Sequence, residues 1–201
     1  MTDRLEQELD ELLGSLQVKR VPAPPPPESI TVACLYHTSD HQDWQRLAQH
    51  LEAVQWQVRQ RCTLTWTTDE GNPKEPSHSA HMKKAAESIA NAHIVIVGLS
   101  VDMQLLFQQQ LPLYDTLFRK LEEARYAKDA WGHPPYVAGI RMKATLWDEI
   151  DLYGMEFLPR HQHLTLAGQH HRDTTCVEIA RQVREWIDDI LDERIHQMTK
   201  E

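Results

Sequence analysis

Apolar positions along this chain alternate between unbroken runs and helical stripes. Ile30-Thr31-Val32-Ala33-Cys34-Leu35-Tyr36 is nearly continuous, the mark of a central parallel strand covered on both faces. Asp40 stands where it can cap a following helix, in which Trp44, Leu47, Leu51 and Val54 recur at helical spacing. Cys62, Leu64 and Trp66 alternate with threonines and predict a second strand ending in Trp66-Thr67-Thr68-Asp69. A Gly/Pro loop from Glu70 to Pro76 comes next. A helix capped by Ser77 or Ser79 follows, through Met82, Ala85 and Ile89, and a third strand spans His93 to Leu99. Further helix is predicted from Leu113 to Lys128, a fourth strand over Tyr136–Ile140, and a short helix around Thr145 to Ile150. His163-Leu164-Thr165-Leu166 reads as a short fifth strand. The last helix, capped by Asp173 or Thr174, carries Val177, Ala180, Val183, Ile187, Ile190 and Leu191 on one stripe. Strands that alternate with helices imply parallel pairing, hence a three-layer α/β sandwich around a five-stranded parallel sheet.

Ahead of this domain, Leu5, Leu9, Leu12, Leu13 and Leu16 fall at helical spacing, with Glu6, Glu8, Asp10 and Glu11 on the other sides. A helix this short is marginal alone. It is either a tail with helical tendency or a docking helix that presents Leu5, Leu9, Leu12 and Leu16 to a partner. Pro22-Ala23-Pro24-Pro25-Pro26-Pro27 then enforces an extended rod. The organisation is an amphipathic segment over 1–20, a Pro-rich linker over 21–28 and an α/β domain over 29–196.

The formal net charge of −9 repels polyanions, and Lys83-Lys84 and Arg59-Gln60-Arg61 are too small to make a phosphate-binding face. Nucleic acid is not the expected partner. No run approaches the ~20 apolar residues of a membrane span. The charged start, Met1-Thr2-Asp3-Arg4, lacks a secretory pattern, so a cytoplasmic location is expected. The cysteines, Cys34, Cys62 and Cys176, are odd in number and show no C-x-x-C spacing, which disfavours a disulfide framework or a zinc module. Twelve histidines include the pair His78 and His81 and the group His161, His163, His170 and His171, but no carboxylate or cysteine set completes a metal site. His37, Ser39 and Asp40 are hydrolase residue types without a Gly-x-Ser-x-Gly elbow, so turn formation and capping are their expected roles. Neither a Gly-x-Gly-x-x-Gly loop nor a Walker loop follows the first strand.

Five motifs in order bring out a family likeness. They are Leu35-Tyr36-His37-Thr38-Ser39-Asp40, Trp66-Thr67-Thr68-Asp69-Glu70-Gly71, Val97-Gly98-Leu99-Ser100-Val101-Asp102, Arg141 with Trp147, and Leu158-Pro159. Together they resemble the Toll/interleukin-1 receptor (TIR) domain family, in particular its bacterial TIR-like branch. The resemblance implies a TIR/flavodoxin-like fold and an interaction loop, the BB loop, here Asp69, Glu70, Gly71, Asn72, Pro73 and Lys74. It also implies a possible nucleotide cleft near His37, Trp66, Asp69 and Ser100. Enzymatic members cleave NAD with a glutamate at about the position of Leu113. A carboxylate suits that task because it balances the oxocarbenium-like charge. From Gln104 to Leu113 this chain has no acid, and Asp115 is the nearest one further on. His37 also replaces a small hydroxyl residue. The expectation is therefore a non-catalytic adaptor or regulatory domain without a cofactor. It would act by self-association and contact with other signalling subunits, in bacterial immunity or cell death. The alternatives are an NAD-cleaving effector activated by oligomerisation, with Asp115 as its acid, and a nucleotide-sensing module.

Overall fold

Five parallel strands form one sheet in the order β2-β1-β3-β4-β5. They are β1 (Glu28–His37), β2 (Cys62–Gly71), β3 (Ile94–Leu99), β4 (Tyr136–Arg141) and β5 (Glu156–Leu158). The helices are α1 (His41–Val58), α2 (His78–Ala90), α3 (Val101–Gln109), α4 (Leu111–Tyr126) and α5 (Arg172–Met198). The structure, a computed structural model, describes residues 28–71, 78–109, 111–126, 135–143, 155–159 and 172–198.

Alternation along β1 divides the core in two. Ile30, Val32, Cys34 and Tyr36 face α1 and α5, where Trp44, Leu47, Val183 and Trp186 meet them. Ala33 and Leu35 face the other way, toward Ile89, Met103, Leu106 and Leu117 from α2, α3 and α4. Every residue of β3 is buried, as a strand covered on both faces must be. Where the layers come closest, only glycine fits: a β-carbon on Gly139 would overlap the Leu99 side chain and lie 2.9 Å from Met155 Sδ.

Several expectations change. β2 runs through Gly71, with Asp69 paired to Leu35 and Gly71 to His37, so Asp69, Glu70 and Gly71 belong to the strand rather than to a loop. The β1 ladder extends the pairing past the point where the apolar alternation of β2 stops. The fifth strand is Glu156–Leu158, not 163–166. Phe157 packs toward one core and Leu158 into the other, which three residues cannot announce as a period. α3 forms a separate helix ahead of α4, and Pro112 sits in the first turn of α4, where its missing N–H costs nothing. Ser79, Asp173 and Thr174 lie inside their helices rather than at the caps, and Ser77, the other expected cap, lies outside the described residues. The leucines 5–16, the Pro-rich linker, the 145–150 helix, the 163–166 strand and Asn72, Pro73 and Lys74 lie outside the described residues.

Candidate functional site

In a doubly wound sheet, ligands enter outside the carboxyl ends of the strands, where the strand order reverses. Here that point lies between β1 and β3. β1 ends at His37, and a single 3-10 turn, Thr38–Asp40, leads into α1. Ser39 N–H donates to His37 Nδ1 at 3.2 Å, so that nitrogen offers its lone pair and the ring proton of a neutral imidazole sits on Nε2. Ser39 Oγ donates to Asp102 Oδ2 at 2.6 Å and lies 2.9 Å from His37 Nδ1. The hydroxyl has one proton, and the charged carboxylate is the stronger acceptor.

This is not a catalytic triad. In a triad the histidine stands between carboxylate and serine and takes the serine proton. Here the serine stands in the middle, and its proton is held by the carboxylate. The order orients the turn and directs the hydroxyl to the carboxylate, with the imidazole 2.9 Å to its other side.

Asp40 is the next residue, with its side chain wholly buried. It occupies the N-cap position of α1 but makes no side-chain cap hydrogen bond, contrary to expectation. Lys143, just beyond β4, places its Nζ 2.6 Å from Asp40 Oδ1 and donates to the Ser39 carbonyl at 3.2 Å. Neither Asp40 oxygen accepts a well-directed hydrogen bond among the described residues, so the contact is an ion pair in form. The positive end of α1 favours the same carboxylate charge. On the β3 side, Ser100 is fully buried and its Oγ accepts the Met103 N–H at 3.2 Å, which makes it the N-cap of α3. The result is a clasp that joins the ends of β1, β3 and β4 through Ser39, Asp40, Asp102 and Lys143.

The four residues expected to share a nucleotide cleft do not all meet. His37 and Ser100 flank the clasp, each engaged in local capping. Trp66 pairs with Val32, five positions before His37 along β1, or about 17 Å at strand rise. It lines a separate cleft of about 200 Å³ with Trp44, Cys34, Leu51, Glu52 and Gln55. Asp69 lies in β2 opposite Leu35. The sequence pattern alone does not mark Asp102 and Lys143 as site residues. Asp102 had a signal, since Ser100-x-Asp102 opens a helix, whereas nothing near Lys143 announces Asp40.

No protein-family model, curated protein or solved structure matches this chain. Among the described residues no group of three or more His, Cys, Asp or Glu side chains could hold a metal ion. The histidines 161, 163, 170 and 171 lie outside those residues. Nor is any described helix long and apolar enough to cross a membrane.

The three cysteines are buried thiols with no disulfide among them. Burial pushes the Cys176 thiol up to about 11, and Asp173 adds to the effect while Arg46 opposes it. At pH 8 about one molecule in a thousand carries that thiolate. A disulfide reagent at pH 8 is expected to leave the native protein unlabelled for minutes and to label all three thiols in urea. A thiol that reacts within seconds in the native state would contradict this burial. The raised value also sets a sign. Between pH 9 and 11 the unfolded chain loses this proton first, so the contribution of Cys176 to stability falls as pH rises through that window.

Proposed function

We propose that this chain is a TIR-like domain of the flavodoxin-like class that works by protein–protein assembly and has no catalytic activity of its own. The observation that carries the proposal is the clasp at the switch point. His37, Ser39, Asp102, Asp40 and Lys143 are engaged with one another where a substrate would have to be held. Val101 and Leu105, one turn apart on α3 beside the clasp, add exposed apolar surface of the kind that contacts proteins. The strand order 2-1-3-4-5 and the positions of the Leu99-Ser100-Val101-Asp102 and Leu35-to-Asp40 motifs at strand ends support the family reading. That reading extends the proposal to cytoplasmic signalling in bacterial immunity or cell death.

Cleavage of NAD has one observation in its favour, because Asp102 puts a half-buried carboxylate just past the carboxyl end of β3. The test is direct. Purified protein at high concentration with a crowding agent is expected to release no nicotinamide from NAD above a heat-inactivated control. Release that Asp102→Asn or Asp115→Ala abolishes would replace the assembly proposal with an enzyme. Asp115 is exposed on α4, and its backbone carbonyl accepts from Arg119 Nε at 3.4 Å. A thermal-shift series with nucleotides tests the sensing alternative, for which the assembly reading expects no shift.

A further inference from the structure

α2 and α4 pack side by side on one face of the sheet, with Ala85 and Ile89 meeting Leu117 and Leu121 in the core beneath them. Toward solvent the two helices part. Ala86 and Ala90, one turn apart on α2, end at the β-carbon, and Thr116 and Lys120, one turn apart on α4, complete a cleft of about 300 Å³. Among the described residues its walls carry three cations, Lys83, Arg119 and Lys120, and one carboxylate, Glu87. That is local positive charge on a chain whose formal net charge is −9. Lys120 is 7% exposed, and its Nζ donates to the carbonyl of Ala90, the last residue of α2, at 2.9 Å. The negative end of the helix favours the ammonium there and fixes it on the cleft wall. What Lys120 brings is charge, little screened by solvent at that depth. Lys83 Nζ stands 4.0 Å from Glu87 Oε1, with both side chains mostly exposed, so that pair is weak. Arg119 Nε reaches the Asp115 carbonyl at 3.4 Å, which engages one of the five donors of a guanidinium.

We infer that this cleft binds a small hydroxylated phosphomonoester of the sugar phosphate class. Such a site is independent of the assembly reading. Its place in the fold is separate too. Ala90 leads toward the start of β3, whereas the clasp lies beyond the end of that strand, about 20 Å further on at strand rise. A phosphate dianion suits the wall because Arg119 presents a planar fork to two of its oxygens, while Lys83 and Lys120 add point charges. The Thr116 hydroxyl lies on the same wall. The volume stands at the lower end of the range for small-molecule sites, about 300–1,000 Å³, and exceeds what inorganic phosphate fills. The remaining wall decides what accompanies the phosphate. Glu87 accepts hydrogen bonds from hydroxyl groups and repels a second anion, and the alanine methyl groups suit the C–H face of a polyol. No aromatic ring lines the cleft among the described residues, so a nucleobase finds nothing to stack on.

The experiment is calorimetric titration of the full chain with glucose 6-phosphate, glycerol 3-phosphate, glucose and inorganic phosphate at low salt. At least one of the two phosphomonoesters is expected to bind at a single site with a dissociation constant below about 1 mM, and roughly tenfold more tightly than inorganic phosphate. Glucose is expected not to bind. Arg119→Gln, at an exposed position, is expected to weaken the binding about tenfold with an unchanged unfolding midpoint. Arg119→Lys keeps the charge but not the fork and is expected to restore only part of the loss. Glu87→Ala is expected to tighten inorganic phosphate and to narrow the preference for the phosphomonoester to within about threefold. Arg46→Gln, exposed on α1 across the sheet, removes the same charge and is expected to leave binding as it was. Four results would each overturn the proposal: no binding of either phosphomonoester, equal binding of inorganic phosphate (an adventitious ion only), a preference that Glu87→Ala leaves untouched, or equal losses in Arg46→Gln and Arg119→Gln.

Discussion

Replacing Lys143 by methionine is expected to lower the stability of the fold by about 3 kcal/mol, measured by urea unfolding. The reason is the carboxylate left behind. Asp40 is wholly buried, and Lys143 is the cation beside it. A buried charge stripped of its partner loses the Coulomb attraction and keeps the cost of leaving water. Lys143 is itself partly exposed, which places the expected loss at the low end of the range for broken buried pairs. The double variant Asp40→Asn with Lys143→Met is expected to recover most of the loss, because an uncharged amide costs far less to bury. A single Lys143→Met change within about 0.5 kcal/mol of the parent would show that solvent reaches Asp40 and that the clasp contributes little. The same variant also bears on function. If the clasp only joins strand ends, self-association survives wherever the protein stays folded.

Trp186→Ala is expected to cost still more, about 4 kcal/mol. The indole is fully buried and stacked on the Tyr136 ring, with centroids 4.8 Å apart and planes within 9°. It fills the space between α5 and the start of β4. Truncation would remove both its apolar burial and the ring contact, and the rigid neighbours cannot close over the gap. Tyr136 also donates to Asp189 Oδ2 at 3.2 Å, so loosening the ring disturbs a polar contact on α5. Calorimetry reads the loss as a fall in the unfolding temperature. A fall no larger than that for Trp186→Phe would mean that the site collapses around the smaller side chain. With a total stability of about 5–15 kcal/mol for a domain of this size, either loss is a substantial fraction.

Helices and central strands were legible because their signals are local. Residues 30–36 and 94–97 show the nearly continuous apolar run of a strand covered on both faces, and both became interior strands. The stripe in residues 44–54 faces the sheet as its spacing requires. Errors fell where a neighbour decides the outcome. The far end of β2 carries Asp69 and Glu70, polar residues that read as loop, yet the β1 ladder holds them in register. Glu156-Phe157-Leu158 is too short to carry a period, and only the open edge of β4 makes it a strand. Asp40 read as a helix cap because Asp before an apolar stripe usually is one. A lysine more than a hundred residues away drew its carboxylate elsewhere.

The same division runs through the candidate site. Ser100 as a cap and Asp102 in the first helical turn were accessible from three adjacent residues, since capping is a matter of one turn of backbone. That the Ser39 hydroxyl donates to Asp102, with His37 Nδ1 on its other side, depends on which strands lie side by side at the switch point. The family likeness puts Trp66 and His37 in one cleft, but parallel register separates them by half the length of β1. By itself, then, the chain determined the alternation of strands and helices, the two-faced burial of the sheet's middle and the absence of a glycine phosphate loop. Those follow from side-chain chemistry within one turn or one strand. The tertiary structure decided which charges meet, how far the edge strand extends and what the crevice leaves open. Such contacts form between residues whose distance along the chain bears no relation to their distance in space.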